Sequence, residues 1–144
     1  MRTDARSCKP SDVARVERLL ADAGLPVPAP GDPAVEFVVV EDGAGIAACA
    51  GWETWGEQAL LRSVAVREDV RRRGLGRIVV EAAVRELADR GVHDVTLVTL
   101  DAQVFFAGLG FESIEKGDVP EPIRRSPEFR IHDCAGGHWM RRLL

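Results

Sequence analysis

The stretch Val64-Ala65-Val66, followed at a short interval by Arg71-Arg72-Arg73-Gly74-Leu75-Gly76-Arg77, has the residue types and spacing that hold an anion. A β-branched run ends, an arginine-rich turn follows, and two glycines open a long amphipathic segment. Such a strand-to-helix junction aims backbone N–H groups and the positive end of a helix dipole at one point, which suits a phosphate. Glycine at 74 and 76 lets the backbone approach an anion that a Cβ would hold off. Two other phosphate motifs are excluded by residue identity. A P-loop needs a lysine followed by Ser or Thr, where this chain has Arg77-Ile78, and a dinucleotide fingerprint needs a third glycine where Val79 stands. A second candidate is Glu53, set between Trp52 and Trp55 and sharing a strand face with Cys49 and Gly51 by period-two alternation.

Charge narrows the class of ligand. Residues 67–77 carry five arginines against two acids, on a chain of 144 residues with a net charge of -4. A local basic patch on an acidic body favours a small polyanionic ligand and argues against nucleic acid or a membrane surface as partner. The length fits one domain over residues 1–144. Cys8, Cys49 and Cys134 are odd in number and scattered, which predicts no disulfide framework and a reducing compartment. No signal-type or membrane-length apolar run is present, so a cytoplasmic location is expected.

The elements that must position these residues follow from periodicity. Ser11 to Ala23 predicts a first helix capped by Ser11, with a stripe of Val13, Val16, Leu19 and Leu20. Leu25 to Pro33, with four prolines and a glycine, is a loop. Val35 to Glu41, Ile46 to Glu53 and Ala59 to Val66 read as a three-stranded meander. Leu75 to Arg90 predicts a helix with Leu75, Ile78, Val79, Ala82, Ala83 and Leu87 on its apolar face and Gly91 at its end. Val95 to Leu100 predicts a strand buried on both faces. A short helix over Ala102 to Leu109, a strand over Phe111 to Glu115, a proline-rich loop and a last strand over His138 to Leu144 complete the chain. That last strand, read as an exposed edge, is placed to pair with a second copy as a homodimer.

Four stretches together resemble the GNAT superfamily of acetyl-CoA-dependent N-acetyltransferases along nearly the whole chain. They are Leu60-Leu61-Arg62-Ser63-Val64-Ala65-Val66, Arg71 to Arg77, Val95 to Leu100, and Phe105-Phe106-Ala107-Gly108-Leu109-Gly110-Phe111. The resemblance implies an α/β (α+β) GNAT fold: a mixed, mostly antiparallel central sheet splayed at the cofactor strand, with helices on both faces. Within the superfamily the chain is most similar to a short branch of arsenic-resistance and amino-acid N-acetyltransferases. Cys49-Ala50-Gly51-Trp52-Glu53 and Pro122-Ile123-Arg124-Arg125-Ser126-Pro127-Glu128-Phe129 match that branch, whereas Cys134-Ala135-Gly136-Gly137-His138 lacks its C-P-x-S pattern.

The resemblance implies acetyl-CoA as cosubstrate, held by Val64, Ala65, Val66, Arg71, Arg72, Arg73, Gly74, Leu75, Gly76 and Arg77, with Phe105 and Phe106 lining its site. The N–H of Val66 or a neighbour would face the thioester oxygen and stabilise the oxyanion. Glu53 is the expected base for the ammonium. Phe106 stands where the family carries its catalytic tyrosine, and the chain has no tyrosine at all, so a water, Ser63 or Cys49 would assist thiolate departure if anything does. Arg62, Trp55, Arg125 and Ser126 are the expected acceptor contacts, the arginines through a bidentate grip on a carboxylate. His132, Asp133, Cys134 and His138 match no zinc spacing, and no metal is expected. The function implied is acetylation of a small-molecule primary amine of amino-acid type. A protein N-acetyltransferase or a catalytically weak acetyl-CoA sensor are the alternatives.

Overall fold

The computed structural model describes residues 4–133 and 136–144. They form two compact units, Met1–Trp52 with Arg62–Glu86, and Glu53–Leu61 with Leu87–Leu144. Strands β3 (Gly45–Trp55) and β4 (Gln58–Val66) contribute to both.

In the first unit, β1 (Arg6–Ser7), β2 (Glu36–Asp42), β3 and β4 lie in that order. β2 pairs antiparallel with β3, with Val39 opposite Cys49 and Val38 opposite Ala50, and the register shifts between Val40 and Glu41. Helix α1 (Val13–Asp22) lays Val16, Leu19 and Leu20 on Val39, Ile46, Cys49 and Ala65, with Cys8 and Phe37 packed at the margin. Burying each of these large aliphatic side chains is worth about 2 kcal/mol. Ser11 does not cap this helix. A 3-10 turn, Pro10–Asp12, precedes it and no side-chain cap bond forms. The acid that caps in many helices, Asp12, is instead buried under Arg6 and Arg15, which donate to it at 2.7 Å and 2.6 Å.

Helix α2 (Leu75–Asp89) has its buried stripe at Leu75, Val79, Val80, Ala83, Val84 and Leu87. The expected face is rotated: Ile78 and Ala82 are only half-buried, and Val80 and Val84 take their places. Gly91 ends the helix, donating to Ala88 O while Val92 donates to Leu87 O, the pair of bonds that satisfies the last carbonyls.

In the second unit β4 is followed by β5 (Asp94–Thr99), β7 (His138–Leu143) and β6 (Glu112–Ser113). The β4–β5 ladder is parallel and matches Gln58, Ala59 and Leu60 to Asp94, Val95 and Thr96. β7 is not an edge. It pairs with β5 from Asp94–Leu143 to Thr99–His138, and with β6 on its other side. The strand expected over Phe111 to Glu115 shrinks to β6, and β1 is too short for periodicity to show. The segment expected to be a proline-rich loop folds into two 3-10 turns, Lys116–Asp118 and Glu121–Arg125, and helix α4 (Pro127–Asp133). Proline is tolerated in the first turn of a helix because its missing N–H would have no partner there. Val119 and Ile123 from this segment close over Leu60 and Trp139, flanked by Trp55 and Phe129. Helix α3 (Gln103–Ala107) lies between β5 and β6 in sequence. Among the described residues, seven mostly antiparallel strands and four α-helices bear out the mixed α/β class.

Candidate active site

The arginine-rich loop belongs to the first unit. β4 carries Ser63 at φ +57°, a left-handed residue in a strand. Beyond it Val64, Ala65 and Val66 alternate between half-buried and buried. After Val66 the chain makes a 3-10 turn, Glu68–Val70, then runs exposed from Arg71 to Gly74. Buried Val70 and Leu75 fix the two ends of that exposed run. Arg72 and Gly74 have φ values of +69° and +79°. Left-handed residues interleaved with ordinary ones turn successive N–H groups to one side, forming an anion-binding concavity. Non-glycine residues avoid this region, so Arg72 stores strain of about 1 kcal/mol or more.

The five arginines divide by partner. Arg67 is committed to structure: it grips Asp42 at 2.6 Å and Asp69 as well. Arg77 pairs with Glu81 at 3.0 Å. Arg71 folds back, its Nε donating to Val66 O at 3.1 Å. Arg72 and Arg73 are exposed, and among the described residues they make no hydrogen bond or ion pair. The concavity, the first N–H groups of α2, which have no acceptor within the helix, and these two cations fit a pyrophosphate.

Arg62 and Ser63 are also in this unit, and both are buried. Arg62 Nε donates to Ser63 Oγ at 3.1 Å, and Cys49 Sγ donates to Ser63 O at 3.3 Å. Burial pushes the Cys49 thiol up to about 12. It is a weaker acid than an unburied thiol, whose pKa is about 8.5, so Cys49 is a poor proton donor to a thiolate leaving group.

The second unit holds the carboxylate. Glu53, at the end of β3, is 1% exposed. Trp55 Nε1 donates to its Oε1 at 3.1 Å, and Ser126 Oγ lies 2.9 Å from its Oε2. Ser126 is fully buried, and its Oγ also accepts from the Glu128 N–H at 3.2 Å, which makes it the N-cap of α4. The fold thus brings Glu53, Trp55 and Ser126 together. Arg125, next to Ser126, is exposed. Phe106 is buried edge-on against Phe111 at 5.8 Å, while Phe105 is 39% exposed.

One residue escaped the sequence reading. Glu128 is buried beside Ser126, and Ser126-Pro127-Glu128 carries a legible helix-start signal of cap, proline and acid. Arg72 was read as part of the loop, but no composition rule predicts its left-handed backbone. His132, Asp133 and Cys134 fall where side chains or backbone lie outside the described residues; among the described residues no cluster of three or more His, Cys, Asp or Glu is placed to hold a metal ion. No helix among them is long and apolar enough to cross a membrane.

Residues 33–113 match the acetyltransferase (GNAT) domain family. An uncharacterized N-acetyltransferase of Chlorobaculum tepidum is 32% identical over 127 residues, covering 85% of this chain and 81% of that protein. The chain therefore belongs to the GNAT acetyltransferase family, and it is an N-acetyltransferase that uses acetyl-CoA as acyl donor.

Solved structures agree on the fold. The N-acetylglutamate synthase of Neisseria gonorrhoeae, complexed with coenzyme A and N-acetylglutamate, superposes with a TM-score of 0.78 at 18% identity over 98% of this chain. The chain spans about a third of that synthase, 35% of its length. Rv2747 of Mycobacterium tuberculosis, in complex with CoA, gives 0.73 at 21% identity, covering 97% of this chain and 98% of that one. The ribosomal-protein-S18-alanine N-acetyltransferase of Escherichia coli gives 0.68 at 19% identity, covering 96% of this chain and 92% of that one.

Proposed function

We propose that this chain, as a single N-acetyltransferase domain over residues 1–144, transfers acetyl from acetyl-CoA to the primary amine of a small molecule of amino-acid type. The observation that carries this reading is the buried Glu53, held by two neutral donors, Trp55 and Ser126. Donors on both oxygens orient the carboxylate, and a base for an ammonium needs a fixed orientation. The arginine-rich loop supports the other half. Arg72 and Arg73, with the N–H groups from Arg72 to Arg77, bind the pyrophosphate, and Arg71 exchanges its bond to Val66 O for a phosphate oxygen.

Acetyl-CoA supplies an activated thioester. On the protein's side, Glu53 takes the ammonium proton directly or through a water, and the amine then attacks the carbonyl carbon in a ternary complex. A backbone N–H of Val64, Ala65 or Val66 stabilises the oxyanion, and the C–S bond breaks as the new C–N bond forms. Ser63 relays a proton: its hydroxyl takes the remaining proton from the nitrogen of the tetrahedral adduct as it gives its own to the departing sulfur, so that it ends as it began. Arg62 and Arg125 supply the cationic forks for an acceptor carboxylate and Trp55 an apolar wall. Ser126 belongs to this group through Glu53. Phe105 and Phe106 line the cosubstrate. The scheme uses no metal, nucleic acid or membrane and is compatible with a cytoplasmic enzyme.

The likeness to an N-acetylglutamate synthase and to the arsenic-resistance and amino-acid branch supports an amino-acid or amino-acid-like toxic acceptor. The experiment is incubation with acetyl-CoA and pooled amino acids, polyamines, peptides and amino-acid-like arsenicals, read by mass for acetyl gain. Acetylated amino-acid-type products are expected. Acetylation of peptides alone would shift the reading to a protein N-acetyltransferase. Phe106 in place of a tyrosine favours one other reading, a catalytically weak acetyl-CoA sensor. Bound acetyl-CoA without any product would support it.

A further inference from the structure

Ser126 makes more contacts than an ordinary helix cap requires. Its carbonyl accepts from Phe129 N at 3.0 Å and its N–H donates to Ile123 O at 3.0 Å, so the backbone at this junction is held from both sides. Its hydroxyl oxygen accepts from the Glu128 N–H, and its only hydrogen therefore points along the 2.9 Å line to Glu53 Oε2. A helix cap needs the acceptor lone pair alone. The direction of the hydroxyl hydrogen is a separate property, and it is spent on a carboxylate 73 residues away in sequence.

We infer that Ser126 is a positioning residue for Glu53: the N-cap bond of α4 orients the Ser126 hydroxyl, and the hydroxyl fixes the rotamer in which the Glu53 carboxylate meets the acceptor amine. Glutamate has three side-chain torsions, and a carboxylate displaced by about 1 Å loses proton-transfer geometry. Trp55 fixes one oxygen and Ser126 the other, so the plane of the carboxylate is set. The inference rests on the reading of Glu53 as the proton acceptor.

The test separates the cap from the hydroxyl. Ser126→Gly removes the O–H while costing the helix only a few tenths of a kcal/mol, whereas Ser126→Ala removes both. Ser126→Thr keeps both. Steady-state rates are measured with acetyl-CoA at a fixed concentration of pooled L-amino acids, and the Trp55 indole N–H resonance is recorded by NMR in the same samples. Positioning predicts that S126G and S126A lower kcat alike, on the order of tenfold, leave the acetyl-CoA KM within about twofold, and displace the Trp55 resonance. S126T restores both readouts. A purely structural cap predicts wild-type kcat and an unmoved Trp55 resonance in S126G, which would overturn the inference; S126G decides the matter if S126A or S126T fails to fold. Glu53→Gln distinguishes the failure of the underlying reading. If E53Q turns over like wild type, Glu53 is not the base, and a Trp55 shift in S126G then shows a hydroxyl that orients a carboxylate without a part in turnover.

Discussion

Cys49 Sγ donates to the carbonyl of Ser63 at 3.3 Å, joining β3 to the one residue of β4 that has a left-handed backbone. Burial keeps the thiol protonated, with its pKa pushed up to about 12. Iodoacetamide at pH 8 should therefore leave Cys49 unlabelled in the native protein and label it fully in denaturant, because only the thiolate reacts. Peptide mass mapping reads this directly. Labelling of native Cys49 at the rate of free cysteine would show an accessible thiolate and reopen a chemical role for it.

Gly74 is the residue of the arginine-rich turn whose conformation decides anion binding. Its φ is +79°, and a Cβ built there meets nothing within 4 Å. Gly74→Ala should therefore cost only backbone strain, about 1 kcal/mol. An exposed turn relaxes in the free protein and must take up that strain on binding, so acetyl-CoA affinity should fall by roughly fivefold while Tm barely moves. Calorimetric titration with acetyl-CoA checks it. Unchanged affinity would mean that the concavity relaxes without loss or does not hold the pyrophosphate.

The arginine-rich loop and the Glu53 cluster differ in how much of each a sequence can tell. The arginine-rich loop was legible because its signal is local: β-branched strand, arginines, glycines and helix follow one another within a dozen or so residues, and each acts through its own backbone. The partnership of Glu53 with Ser126 was not legible, although both residues were picked as candidates, because it joins positions far apart in the chain. Ser126 was read as a substrate contact since nothing local says where a hydroxyl hydrogen points. The same limit explains Ser11. A serine after proline is a good cap by type, but Arg6 and Arg15 draw Asp12 inward and the helix begins there instead. Similarly β7 looked like an edge because nothing local says which strands pair: the strand read over Phe111 to Glu115 survives as β6 and covers the outer side of β7.

Glu53→Gln should lower turnover by about 100-fold, the usual contribution of a positioned base, while leaving acetyl-CoA binding unchanged. The amide also replaces one acceptor with a donor that must face either the Trp55 N–H or the Ser126 O–H. A stability loss of about 1–2 kcal/mol is expected from that mismatch. Kinetics and a thermal melt separate the two effects. Turnover equal to wild type at every pH would remove Glu53 from the mechanism.

Arg62 is buried with its Nε on Ser63 Oγ, a costly place for a guanidinium that served only the surface. Arg62→Ala should raise the acceptor KM about tenfold for carboxylate-bearing amines and much less for amines without a carboxylate, since a charge-assisted bidentate contact is lost only with the former. The comparison of the two acceptor classes is the measurement. An equal change for both would make Arg62 a structural residue of β4.

Acid stability should trace to the first unit. The Arg6 guanidinium, aided by the Lys9 backbone N–H, holds the Asp12 carboxyl well below the usual carboxylate range. Arg67 likewise lowers Asp42, to about 2. A carboxyl whose folded value is depressed contributes stability that is complete above its unfolded value, about 3.9, and that is lost as pH falls through the folded one. The chain should thus keep full stability down to about pH 4 and lose it progressively toward pH 2. Asp12→Asn removes the charge that two arginines and the Lys9 N–H converge on, and should cost about 2 kcal/mol at pH 7. It should cost progressively less as pH falls, so the variant's unfolding midpoint in urea becomes less dependent on pH than that of wild type. Parallel pH profiles for the two proteins would mean that the Asp12 carboxyl titrates alike in the folded and unfolded chain, burial cancelling the pull of its arginines.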